Sequence, residues 1–414
     1  MSLSTSESFV TPMQTVSKTE RFARRVLFAV LNRSQRGSFI VKENNREVAH
    51  FQGPLPGPHA EINVVNGKTY QAMVFSGDIG AGEAFMSGHW TSPDLTAVIE
   101  FFAANLNVLD ALEKRLSWLT WPLHMLSHVR RRNSKARAKE NIAAHYDLGN
   151  ELYTRFLDTR LQYSSAVYTA ADMSLEDAQE EKLRRLCDQL QLQPTDHLVE
   201  IGTGWGGLAI YAAERYGCKV TTTTISAEQY AYTENLVKQK GLEDRITLLK
   251  EDYRDLTGQF DKLVSVEMIE AVGAEYMSTF FKKCNALLKP GGLMVLQAIT
   301  IADQRLERYN RNVDFIQKYI FPGGYLPSVE LISSMYRKHT DMVVRSLDDI
   351  GLDYGMTLNA WRQRFNERRH ELEPMGYDER FSRMWNYYLC YCEGGFKQRT
   401  ISAIQLCASK SAHV

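Results

Sequence analysis

HLVEIGTGWGGLAIYAA, residues 197–213, is the stretch whose reading decides the fold. Leu198, Val199 and Ile201 form the short apolar run of a buried strand, and Gly202, Gly204, Gly206 and Gly207 then let the backbone turn tightly. A helix start follows. A ligand held by such a turn lies above the carboxyl end of the strand. Because a glycine turn also ends many strands that bind nothing, its surroundings carry the argument.

A dinucleotide fold places a ribose-binding carboxylate about 20 residues beyond its glycines. Here the acidic residue, Glu200, lies before the turn, and the second strand, VTTTTIS (220–226), ends without one. That arrangement fits S-adenosylmethionine, which has no pyrophosphate to cradle.

With 414 residues, 44% of them hydrophobic, the chain is long enough for two domains and a sizeable core. Its 49 Lys and Arg balance 49 Asp and Glu, so no overall attraction to nucleic acid is expected. Locally the balance fails: Arg130, Arg131, Arg132, Lys135, Arg137 and Lys139 share a stretch without Asp or Glu, directly after the apolar run WLTWPLHMLSHV (118–129). Trp beside Lys and Arg is the composition of a segment lying on an anionic bilayer, where each basic residue contributes about 1 kcal/mol. A core helix followed by a solvated linker is the competing reading. The six cysteines are scattered without a Cys-x-x-Cys pair, which fits a reducing cytoplasm. Residues 1–20 read as a flexible polar terminus without a secretory signal, and no stretch reaches the roughly 18 apolar residues of a membrane span.

Along the chain, Arg21 to Asn32 has the pattern of an amphipathic helix. Alternating segments at Ser38–Val41 and Thr69–Phe75 are expected as strands, separated by Gly53-Pro-Leu-Pro-Gly-Pro58, which should not continue a ladder. Leu95–Leu116 reads as one long helix. From Asn141 the rhythm becomes strand then helix: strands at 197–201, 219–224, 245–249, 262–266 and 293–298, helices at 208–216, 227–240 and 276–288. Such alternation predicts a parallel sheet covered on both faces. The tail predicts helices over 356–373 and 378–394 and a strand over 401–408. Between Ile301 and this tail, Tyr309, Phe315, Tyr319, Phe321 and Tyr325 mark either a lid or an inserted helix.

Several chemistries are disfavoured. Residues 198–338 contain no histidine, and no Cys/His/carboxylate group has metal-ligand spacing. Neither a Gly-x-Ser-x-Gly elbow nor a Gly-x-x-x-x-Gly-Lys loop is present. What remains is polar points in aromatic surroundings, among them Tyr163, Ser164, Ser165, Glu267, Glu270, Gln297 and Tyr354. Glu267 and Glu270 directly follow a buried strand, where a carboxylate faces the cofactor cleft.

NIAAHYDLGNELY (141–153), LQYSSAVY (161–168), VEIGTGWGGLAIYAA (199–213), FDKLVSVEMIEAVG (260–273), KYIFPGGYLPS (318–328) and RMWNYYLCYCEGGF (383–396) resemble the cyclopropane-fatty-acyl-phospholipid synthase family, S-adenosylmethionine-dependent methyltransferases. SGDIGAGEAFMSGHW (76–90) resembles that family's smaller N-terminal domain. The resemblance implies an α/β fold, a class I methyltransferase-type Rossmann-like sheet covered by helices, with a smaller N-terminal α+β domain. Its implied division is a lipid-associating unit at 21–129, a basic linker at 130–140 and a methyltransferase domain at 141–414. It implies cofactor contacts at Tyr163, Ser164, Glu200, Gly202, Gly204, Thr224, Gln229, Asp252 and Tyr253.

The family's chemistry sends an alkene carbon onto the sulfonium methyl, after which a bound bicarbonate takes a proton and the ring closes. The positions matching its bicarbonate pocket are Ser165, Glu270, Gln297 and Tyr354, where the family has Cys, Glu, His and Tyr. Ser and Gln still donate hydrogen bonds to an anion but supply no cation near neutral pH. Cys392 matches a cysteine once suspected of catalysis. The implied substrate is the unsaturated acyl chain of a phospholipid at the inner face of the membrane, met by a cytoplasmic, peripherally bound enzyme; a homodimer stays open. Two alternatives stay open as well: a fatty-acyl C-methyltransferase giving a methyl- or methylene-branched chain, and an inactive lipid- or cofactor-binding relative.

Overall fold

The computed structural model describes residues 17–108, 110 and 149–412. The expected linker at 130–140 and the apolar run at 118–129 lie outside the described residues, as do residues 1–16.

Two sheets organise the described chain. The larger comprises β5 (His197–Ile201), β6 (Lys219–Thr223), β7 (Ile246–Leu249), β8 (Phe260–Val266), β9 (Leu288–Ile301), β10 (Met342–Asp349) and β11 (Ile401–Lys410), in the order β10-β11-β9-β8-β5-β6-β7. β5 to β9 are mutually parallel, and β11 runs antiparallel between β9 and β10. This is the covered sheet expected from the strand-helix rhythm. The period of two along each strand sends alternate side chains to opposite faces. Leu198, Val220, Val264 and Val295 accordingly meet Leu183 and Leu208 on one side, while Val199, Leu263 and Leu296 meet Phe280, Phe281 and Ile332 on the other. Each of these fully buried large side chains contributes about 1.5–3 kcal/mol relative to an exposed one.

The smaller sheet has the order β2-β1-β3-β4, from β1 (Arg36–Glu43), β2 (Arg46–Gln52), β3 (Leu55–Val64) and β4 (Trp90–Thr91). Helices Lys18–Leu31, Lys68–Met86 and Leu95–Ala104 accompany it. Three expectations are corrected here. Thr69–Phe75 is helical, the first part of a helix that kinks at Gly77, where φ is 57°. The Pro-rich stretch enters β3 after all: its register against β1 shifts between Arg36 and Ser38, and β4 pairs only with Asn63 and Val64, so the prolines need donate nothing on that side. The helix expected over Leu95–Leu116 is interrupted: its first part ends at Ala104, where the Asn105 side chain donates to Arg36 O and Phe101 O (2.9 Å each) and accepts from Gln35 N (2.8 Å), residues 106–108 and 110 are helical again, and 109 and 111–116 lie outside the described residues.

The two sheets do not have separate cores. Phe39, Trp90 and Phe101 belong to one apolar cluster with Tyr153, Trp361, Trp385 and Tyr387. The helices Leu95–Ala104 and Glu379–Lys397 touch so closely that a Cβ on Gly394 would lie 2.8 Å from Ile99. Thr96 Oγ1 donates to the fully buried Glu393 across this seam (2.9 Å). The cavity described next opens along it.

Candidate active site

The glycine turn after β5 is built as its residues require. Gly202, Gly204 and Gly206 all have positive φ (104°, 53° and 83°), conformations that a Cβ strains. A Cβ on Gly206 would sit 2.6 Å from Thr233 and one on Gly207 2.1 Å from Gln162 Nε2, whereas nothing lies within 4 Å of the corresponding point on Gly204. Two of the glycines therefore serve packing. Gly204 leaves room for a ligand, and it lines a cavity of about 820 Å³.

Every expected cofactor residue lines this cavity: Tyr163, Ser164, Glu200, Gly202, Gly204, Thr224, Gln229, Asp252 and Tyr253. Glu200 is buried and accepts from Thr222 Oγ1 (2.6 Å); burial raises its pKa to about 8. Thr224 Oγ1 donates to Gln229 Oε1 (2.9 Å), fixing the amide after β6, where the usual acidic residue is missing. Asp252 is gripped by Arg254 through Nε (2.7 Å) and Nη2 (2.6 Å), and the Tyr253 hydroxyl is buried without a hydrogen-bond partner among the described residues.

The sequence reading missed Lys182. It is fully buried, donating from Nζ to Gln162 Oε1 (2.7 Å) and Ser164 Oγ (2.9 Å). Burial lowers its pKa to about 8, against the pull of Asp158, Glu267 and Glu200. The only signal in the sequence is a lysine on the apolar side of a helical pattern, Leu175, Ala178, Lys182, Leu186.

Three of the four residues expected to surround a bicarbonate, Ser165, Gln297 and Tyr354, do come together, but around the side chain of Glu267. Glu267 Oε1 accepts from Ser165 N and from Gln297 Nε2 (2.9 Å each), and Glu267 Oε2 accepts from Tyr354 OH (2.7 Å). The Ser165 hydroxyl points elsewhere and donates to Ala166 O (2.9 Å). Glu270, expected in the cluster as a ligand of the anion, instead accepts from Ile299 N at its Oε1, while its Oε2 is buried without a hydrogen-bond partner among the described residues. The donors that would hold a bicarbonate are thus already engaged by a carboxylate of the chain, and a separate anion does not fit them.

The two carboxylates divide their protons unequally. Burial raises the pKa of both, Glu270 to about 8 with help from the neighbouring Glu267 charge. Glu267 has three donors that favour its ionised form against one for Glu270, so of the two Glu267 ionises more readily. Glu267 also has a φ of 48°, which an L-residue adopts at a cost of about 1–2 kcal/mol.

Around this pair the walls are aromatic. Tyr354 stacks on Phe396 with ring centres 4.4 Å apart, and Tyr163 lies 6.2 Å from Phe321 and shares a 2.9 Å hydrogen bond with Tyr388. Cys392 lines the same cavity, where burial pushes its thiol well above the usual range, against a nucleophilic role. Leu27, Val30, Met73, Val74 and Phe102, all from the three N-terminal helices, form the far wall. The cavity joins a polar end over the strand termini to a long apolar end. Among the described residues no His/Cys/Asp/Glu group could hold a metal, and no helix is long and apolar enough to cross a membrane.

Comparison with known proteins agrees with this arrangement. A family model described as mycolic acid cyclopropane synthetase matches residues 133–406. The chain is 39% identical to tuberculostearic acid methyltransferase UfaA1 of Mycobacterium tuberculosis, over 80% of this chain and 78% of that one. It is also 39% identical to cyclopropane-fatty-acyl-phospholipid synthase of Escherichia coli K12, over 85% and 88%. Among solved structures, mycolic acid cyclopropane synthase CmaA1 complexed with SAH and CTAB superposes with a TM-score of 0.62 at 28% identity, covering 66% of this chain and 98% of that one.

Proposed function

The chain belongs to the mycolic acid cyclopropane synthetase family of S-adenosylmethionine-dependent methyltransferases, and from that premise we propose that it methylates the cis double bond of an unsaturated acyl chain in a phospholipid and closes it to a cyclopropane. The observation that carries this reading is the continuity of one cavity from the glycine turn, past Glu267, to the apolar wall of the N-terminal helices. An acyl chain needs such a wall, and a methyl donor needs such a turn.

S-adenosylmethionine supplies an electrophilic methyl group. Gly202, Gly204, Thr224, Gln229, Asp252 and Tyr253 would hold its adenosyl part, with Tyr163, Ser164 and Glu200 at the end nearer the reacting carbon. The faces of Tyr163, Tyr354 and Tyr388 stabilise positive charge developing on the acyl chain, by about 0.5–2 kcal/mol each. The buried aromatic wall excludes water, which would otherwise capture that charge as an alcohol.

The same architecture supports docking on a membrane surface. Phe75 lines the cavity yet is 45% exposed, and Phe22 is 54% exposed on the helix that also carries Arg21, Arg24 and Arg25. Apolar side chains beside basic ones suit the face of an anionic bilayer from which an acyl chain enters. Peripheral binding at the cytoplasmic face follows from this reading.

A second reading, methyl transfer to give a methyl- or methylene-branched chain, is favoured by Ser165 and Gln297 at positions where the family resemblance implies Cys and His, and by the likeness to a tuberculostearic acid methyltransferase. Both readings are tested by incubating the protein with vesicles of monounsaturated phospholipid and S-adenosylmethionine deuterated in its methyl group, followed by mass spectrometry of the released acyl chains. Ring closure is expected: the alkene is lost and all but one of the methyl deuterons are retained. A retained alkene bearing a methylene, or a methyl branch, establishes the second reading. Cofactor binding without any turnover identifies an inactive relative.

A further inference from the structure

We infer that the side-chain carboxylate of Glu267 is the base of the ring-closing step, in the place where a bicarbonate ion would otherwise be held. This rests on the methyl-transfer reading above and deepens it.

The hydrogen bonds carry the inference. A carboxylate and a bicarbonate present the same pair of oxygens to donors, and the donors here are spent on Glu267: the Ser165 amide, the Gln297 amide and the Tyr354 hydroxyl. Gln297 Nε2 donates also to Ser165 O (3.2 Å), and its Oε1 is held by Gln405 Nε2 (3.0 Å), so the side chain cannot turn toward a second anion without losing three bonds. The Ile299 amide is taken by Glu270. A free anion would meet two carboxyl groups, and the nearest buried cation, Lys182, is committed to Gln162 and Ser164.

Backbone geometry points the same way. Glu267 stands at the end of β8 with φ at 48°, and its amide donates to Gln297 O (2.8 Å), so strand pairing and side chain are fixed by the same neighbour. A strained conformation of this kind persists where the surroundings over-determine it, and such positions cluster at active sites. Glu267 lines the cavity, as Tyr354 and the expected cofactor residues do, with its carboxylate held by three donors.

The step balances as follows. The alkene π pair forms the new C–C bond to the transferred methyl carbon, and the S–C bond breaks with its pair retained by sulfur. The other alkene carbon is left cationic. Glu267 takes a proton from the new methyl group; the C–H pair forms the third ring bond to the cationic carbon, and Glu267 becomes a carboxylic acid that returns its proton to solvent before the next turnover. No external base is consumed.

The experiment compares wild type, Glu267→Gln and Glu267→Gly in buffer purged of carbon dioxide and in the same buffer with added bicarbonate, using labelled methyl transfer to monounsaturated phospholipid vesicles. Wild-type turnover is expected to change by less than about twofold between the buffers, while Glu267→Gln loses at least about 100-fold in both, the usual size of a general-base contribution. Glycine accepts the positive φ and vacates the carboxylate space beside three donors, so Glu267→Gly is expected to be inactive in purged buffer and partly rescued by bicarbonate. S-adenosylhomocysteine binding by calorimetry reports that each variant is folded. Loss of wild-type turnover on purging, or a Glu267→Gln variant as active as wild type, overturns the inference while leaving methyl transfer intact. A wild-type protein that methylates no acyl chain with or without bicarbonate overturns both.

Discussion

Replacing Glu270 by Gln should remove a pH dependence from the stability of the fold. The folded-state pKa of Glu270 is raised from 4.5 to about 8, first by burial and then by the charge of Glu267. A carboxyl group whose pKa is raised on folding binds its proton more tightly in the folded state. Its contribution is therefore fully present below about pH 4.5 and is lost as pH rises toward 8, with a slope of at most about 1.4 kcal/mol per pH unit. Between pH 6 and pH 8 the wild type should lose up to about 3 kcal/mol relative to the Gln variant, less where cavity water solvates the carboxylate. The amide oxygen can keep the bond from Ile299 N, and the amide nitrogen replaces an oxygen that has no partner among the described residues, so the variant stays close to wild type at pH 6. The assay is urea unfolding of both proteins at pH 6, 7 and 8, read as the difference between them so that other titrating groups cancel. A difference that does not move with pH would refute the protonated Glu270 and, with it, the division of charge between Glu267 and Glu270.

Three further outcomes are expected. Tyr354→Phe removes one donor from the Glu267 carboxylate, which raises its pKa further; the acid limb of the kcat/KM profile for methyl transfer should shift to higher pH, and an unmoved limb would detach Tyr354 from the base. Lys182→Met leaves Gln162 Oε1 and Ser164 Oγ without their buried donor and the carboxylates around it without a cation, so denaturant unfolding should show a loss of about 3–5 kcal/mol; a loss under about 1 kcal/mol would mean the lysine is uncharged and dispensable. Gly206→Ala should destabilise the fold more than Gly204→Ala, because its Cβ meets Thr233 at 2.6 Å while the other has open space. Gly204→Ala should instead weaken S-adenosylhomocysteine binding, by at least about tenfold in calorimetry, as a Cβ intrudes on the ligand. Equal stability losses with unchanged binding would contradict the division of labour within the turn.

Much of the fold was legible because it is decided locally. The apolar run of β5, the positive-φ glycines after it and the cap at Ser226 before the helix Ala227–Gln239 each follow from the conformational preferences of a few adjacent residues. Where local preference and context disagreed, the reading failed. Thr69–Phe75 alternates like a strand but lies within a helix, and β10 was not anticipated because its Val343, Val344 and Leu347 are exposed on a sheet edge and show no buried face.

The site divides along the same line. The amino-acid sequence by itself determined the covered sheet and, through its resemblance to a known family, the ligand class above its glycine turn, since these follow from short motifs. It also placed two carboxyl groups three residues apart after β8. Only the tertiary structure decided which of them the donors choose. Glu267 meets Tyr354 across 87 residues of chain and the Ser165 amide across 102, and a single 3-10 turn at Ile269–Ala271 carries Glu270 aside to Ile299. Contacts between residues so far apart depend on how helices and strands pack, not on the dihedral preferences of their neighbours, and a single turn of backbone is enough to send two neighbouring carboxyl groups to different partners.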